Sequence, residues 1–96
     1  MDNFKGTSGP WFVAQEGSAD VLVTDSDNHR AVAKVTNYMM NGSQINNANL
    51  IAAAPELLEA LQKAVDVIKA GPNVNYLRRF GAVNKAHSAI AKALGK

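Results

Sequence analysis

Asp25, Asp27 and His29 alternate in the short stretch "DSDNH", a spacing in which carboxylates and an imidazole can converge on a cation. A calcium loop also needs Gly at its sixth place and Glu at its twelfth. Counted from Asp25, those places hold Arg30 and Thr36, so the pattern fails and a solvated turn is the simpler reading. His29 and His87 are the two histidines of the chain. They are therefore the candidates for the base that a serine nucleophile would require. Paired carboxylates for glycoside chemistry would have to come from the turns or from Glu56 and Glu59, and no pocket is implied. No glycine-rich phosphate loop of the mononucleotide or dinucleotide type occurs. The expectation is a protein without catalytic residues, metal or cofactor.

Binding chemistry has more to work with. The net charge of +2 is unevenly spread. Residues 1–60 hold three cations and seven carboxylates, whereas residues 61–96 hold seven cations and one carboxylate. Arg78, Arg79, Lys85 and Lys92 form the basic set of the C-terminal third. They could make non-specific contacts to nucleic-acid phosphates, or they could be the solvated face of a helix whose C-terminal dipole favours cations. Tyr38, Met39 and Met40 sit in a predicted loop and offer an adaptable apolar patch for a protein partner.

These groups need elements to hold them. "PWFVAQ" (10–15), "DVLVTD" (20–25) and "RAVAKVT" (30–36) are β-branched and alternating, with turn formers at 16–19 and 26–29. They predict a three-stranded antiparallel meander. Trp11, Val13, Val21, Val23, Ala31, Ala33 and Val35 are expected on the inward face, since alternate residues share one side. A sheet followed by a helix is also the layout of the arm-type DNA-binding domains of phage integrases. Those strands carry Arg and Lys, and here only the third has any, Arg30 and Lys34.

After the loop at 37–44, with Ser43 as a candidate N-cap, the period becomes helical. Leu50, Ala54, Leu57, Leu61, Ala64 and Ile68 recur every three or four residues. Pro55 interrupts this run. A proline costs ~3 kcal/mol inside a helix but almost nothing in its first turn. The helix is thus expected to kink at Pro55 or to end and restart there, with both parts on the sheet. Gly71 and Pro72 close it. A second helix is expected from about Val74 to Leu94, striped by Val74, Leu77, Phe80, Val83, Ala86, Ile90 and Ala93. The fold class is α+β, in the order β-β-β-α-α, with a flexible arm at 1–9 and one domain over 10–96.

The 96 residues include no Cys, which excludes disulfides and fits a reducing compartment. The polar first residues lack the apolar core of a signal peptide, and no run is long enough to span a membrane. The cytoplasm is the expected location. Apolar residues make up 47% but aromatics only 6%, and much of the apolar content is alanine. Such a core is thin. The Leu50–Ile68 stripe is then either intramolecular core or the seam of a homodimer.

The segment "NNANLIAAAPELLEALQ" (46–62), the hairpin "VLVTDSDNHRAVAKV" and the ending "AHSAIAKALGK" together resemble small accessory proteins of tailed bacteriophages and prophages. Those share an "NA-x-LIAAAPELLEAL" tag after a short sheet. The likeness covers residues 10–96 and departs at Asn49, where a charged residue is common. It implies a phage origin and brings no catalytic residues with it. What the resemblance implies for function is a non-enzymatic protein that binds a host complex, with an anti-defence or anti-CRISPR inhibitor as one form. The alternative is a small nucleic-acid binder using the basic last helix.

Overall fold

The computed structural model of the chain describes residues 4–15, 20–25, 30–36, 43–73 and 75–96. Strands β1 (Phe12–Gln15), β2 (Val21–Thr24) and β3 (Ala31–Val35) are followed by helices α1 (Gln44–Ala52), α2 (Ala54–Ala70) and α3 (Tyr76–Ala93). A short 3-10 turn, Gly71–Asn73, joins the last two. The strands form an antiparallel meander in the order β1-β2-β3. The class is the expected α+β, but the described residues form three α-helices where two were expected. The predicted turns at 16–19 and 26–29 and the loop at 37–42 lie outside the described residues.

The sheet buries the anticipated face, with one correction. Val21, Val23 and Val35 are buried against Ala48 and Ala52 of α1, and Trp11, Val13, Ala33 and Ile51 close around them. Val13 stands opposite Val23, which stands opposite Ala33. Past Val23 the register shifts, so that Thr24 pairs with Ala31 and Val32 becomes the extra residue. A single-residue slip reverses which face a side chain takes. Ala31, expected inward, is therefore exposed.

Ser43 occupies the N-cap position of α1, but its side chain makes no capping bond. Gln44 ties the helix to the sheet instead, donating from Nε2 to the Val35 carbonyl at 2.6 Å. At Pro55 the chain takes the restart rather than a kink. α1 ends at Ala52, Ala53 adopts φ −86° and ψ −3°, and α2 begins with Pro55 in its first turn and Glu56 beside it. Hydrogen bonds run across the break from Ala53 N to Asn49 O (3.1 Å) and from Leu57 N to Ala53 O (2.9 Å). Ala53 is fully buried at the corner.

The break corrects a second expectation. α1 alone lies over the strands, and α2 turns away to run beside α3 with no close approach to any described strand. The dimensions explain this. Three strands span only about 10 Å, and a nine-residue helix of about 13 Å already covers them. α2 ends as predicted at Gly71, whose φ of 74° a residue with a side chain rarely adopts. Asn75 then caps α3, accepting from Arg78 N at 2.8 Å. α3 starts two residues later than the predicted Val74, which itself lies outside the described residues.

Helices α2 and α3 thus make a hairpin that projects from the sheet. The molecule measures 52 × 27 × 17 Å, with a radius of gyration of 15.9 Å. A compact domain of this length would have a radius of about 12–13 Å.

Candidate functional site

The hairpin is held by its smallest side chains. Ala60 of α2 and Ala82 and Ala89 of α3 are buried where the helices meet. Small residues let two helices approach closely, and larger ones are then displaced to the sides. This explains the fate of the apolar stripes read from the sequence. Leu61 is 63% exposed, Ile68 76% and Leu77 77%, while Phe80, Val83 and Ile90 are about half exposed. The stripes are real, but most of their large members stand open to solvent among the described residues.

The two flanks of the hairpin differ in chemistry. On one flank Lys85 pairs with Glu59, and Lys92 Nζ lies 2.8 Å from Glu56 Oε1. Ser88 and Ala89 complete the hollow between them. Lys92 also stands over the Phe12 ring, 5.7 Å from its centroid, and so joins the hairpin to β1. On the other flank Leu57, Leu61, Val65 and Ile68 recur with helical spacing on α2, facing the same way as Tyr76, Val83 and Ile90 on α3. Tyr76 and Phe80 stack there, with centroids 5.9 Å apart. An open groove of ≈ 440 Å³ runs along this flank, lined among others by Ala64, Ile68, Ala82 and Val83. Its one charged lining residue is Arg79, which donates from Nη2 to the Gly71 carbonyl at 3.3 Å.

The residues singled out from the sequence separate accordingly. Arg78, Arg79, Lys85 and Lys92 are all on α3 but do not form one basic surface. Lys85 and Lys92 face in-chain carboxylates on the first flank, Arg79 borders the apolar groove, and Arg78 is exposed near the hairpin tip. Lys34 of the sheet is likewise paired, 3.4 Å from Asp20. Tyr38, Met39 and Met40 lie outside the described residues, as do Asp27 and His29 of the "DSDNH" stretch. His87 is exposed on α3. Among the described residues no group of three or more His, Cys, Asp or Glu is placed to hold a metal ion. None of their helices is long and apolar enough to cross a membrane.

Sequence reasoning missed the two ion pairs. A signal was present for one pair: Glu59 precedes Gly71 by 12 residues and Lys85 follows it by 14, whereas Glu56 and Lys92 stand 15 before and 21 after. Antiparallel helices joined by a tight turn bring such positions level.

No curated protein matches the chain, and no solved structure does. The model of one protein family, described as Salmonella phage P22 protein Y8K6, matches residues 1–96, the whole length given. That agrees with the phage origin implied by the "LIAAAPELLEAL" segment. The chain belongs to the Salmonella phage P22 protein Y8K6 family, and it is a phage protein.

Proposed function

We propose that this phage protein acts without catalysis, by binding a host protein complex. The observation that supports this reading is the division of the hairpin surface. Two of the four basic side chains of α3 are matched by carboxylates of the same chain, while large apolar side chains stand open to solvent. Contiguous exposed apolar surface is characteristic of sites that meet other proteins. A polyanion would be met by unmatched cations. The specific form proposed is an anti-defence inhibitor, with a CRISPR effector as the first target to examine. At a net charge of +2 the chain lacks the negative charge needed to imitate DNA. It would act by covering a protein surface.

The test is expression in bacteria carrying CRISPR or restriction immunity, followed by challenge with a phage that the immunity targets. Restored plating, with the effector complex co-purifying on the tagged protein, is the expected result. Unchanged plating against every such system, with no host protein retained in stoichiometric amount, overturns the reading.

Nucleic-acid binding is the second reading, favoured by the basic C-terminal third and the open position of Arg78. Its test is a mobility shift with duplex DNA and with RNA at low salt. Binding that weakens with salt and with Arg78→Ala plus Arg79→Ala supports it. Absence of any shift removes it.

A further inference from the structure

The apolar flank of the hairpin carries large side chains that no described residue covers, and the excess surface of the whole chain is of the size that a second copy would take up. The chain exposes 6875 Å². A compact monomer of 10.2 kDa exposes about 5,300 Å². The whole chain thus exposes about 1,500 Å² more than a compact monomer would, and two copies joined through a shared face could bury up to about 3,000 Å², within the roughly 2,000–5,000 Å² that obligate homodimers bury. We infer that the flank formed by Leu57, Leu61, Ile68, Tyr76, Val83 and Ile90 is covered by the same flank of a second copy, giving an antiparallel four-helix bundle with a sheet at each end.

The charge pattern supports a second copy as the occupant. A two-fold axis sets a surface against itself. A flank rich in one sign of charge would repel its own image. This one keeps a single charged side chain in its groove, Arg79 at the hairpin tip, and the carboxylates and lysines of Glu56, Glu59, Lys85 and Lys92 lie on the opposite flank. An axis perpendicular to the hairpin places the two Arg79 side chains at opposite ends of the bundle. It also stacks two layers of helix pairs whose alanine seams already hold each pair together. α2 has 17 residues and α3 has 18, so the seam is about 25 Å long. That is enough for the knobs-into-holes packing of a bundle.

This inference rests on the reading of the flank as protein-binding and names a second copy as its occupant, which leaves the host complex to be met by exposed apolar side chains off the flank, such as Phe4, Leu50 and Leu58. Sedimentation equilibrium of the full chain at micromolar concentration tests it. A mass of twice 10.2 kDa is expected. Ile68→Glu and Val83→Glu are expected to give monomers of unchanged helix content by circular dichroism, because both sites are exposed in the single chain. Leu61→Ala and Ile68→Ala keep good helix formers in place and are expected to raise the dimer dissociation constant roughly tenfold each. A control on the opposite flank, Ser88→Asp, is expected to leave the mass at the dimer value. A mass of 10.2 kDa for the unaltered chain overturns the inference. So does a dimer that survives both the glutamate and the alanine substitutions. The plating assay for host binding is independent of these masses. A monomer that still restores plating therefore refutes the dimer alone, and a dimer that does not refutes the host reading alone.

Discussion

Lys92 and Glu56, 36 residues apart in sequence, meet at 2.8 Å where the hairpin joins the sheet. Each is about one-third exposed. The second carboxylate oxygen of Glu56 is buried and accepts no hydrogen bond among the described residues. The pair therefore sits in partial burial, where losing one partner strands the other.

Lys92→Ala is expected to destabilise the fold by about 1–2 kcal/mol, and Glu56→Leu by a similar amount. The double variant is expected to lose less than the sum of the two, because neither charge is then left alone. Urea unfolding of the four proteins of this cycle measures the coupling. Strict additivity would mean that the contact contributes nothing.

Two glycines, one within α3 and one just past its end, should respond in opposite directions. Gly81 lies mid-helix with open space where a Cβ would stand. Gly81→Ala is expected to stabilise by about 0.5–1 kcal/mol, seen as a higher melting temperature. Gly95 has φ +79°. It ends α3 in a Schellman motif, with Gly95 N bonded to Lys92 O at 3.0 Å and Lys96 N to Ala91 O at 2.9 Å. A Cβ there would fall 2.7 Å from the Asn49 amide nitrogen. Gly95→Ala is expected to cost about 1–2 kcal/mol, partly relieved in an Asn49→Ala background. Equal effects at the two sites would contradict this account.

Val23 is the largest fully buried side chain described, at the centre of the β2–α1 contact. Val23→Ala is expected to cost about 2 kcal/mol, from lost transfer energy and the cavity left behind. Val32→Ala, at the bulge and only half-buried, is expected to cost less than half of that. Chemical denaturation with tryptophan fluorescence reports both, since Trp11 borders the same cluster.

Much of the architecture was legible in local chemistry. β-branched alternation marked the strands, and the sequence Gly71–Pro72 marked the end of α2. The cost of Pro55 anywhere except a first turn left two outcomes, and the restart at Ala53 is one of them. The bulge that turns Ala31 outward could not be read, because a register slip leaves no trace in alternation. The direction of α2 was equally hidden. Periodicity shows which residues share a face of a helix, but it does not say what that face meets. Leu61 and Ile68 lie on the stripe as expected, yet Ala60 and Ala82 make the contact, because close approach selects the smallest side chains. The Glu59–Lys85 pair needed the hairpin register, a tertiary fact, before its spacing acquired meaning.

The meander and the hairpin share one further property. β1 meets β2, β2 meets β3, and α2 meets α3, so each of these elements finds its partner next to it in the chain. α1 is the element that packs both back on the strands and forward on α3. Few long loops therefore have to close before the native contacts form, and topologies of this kind reach their fold quickly. The pause at Ala53 allows this. By ending one helix and starting another, it separates a sheet unit from a hairpin unit, so that most contacts of each lie within its own stretch of chain.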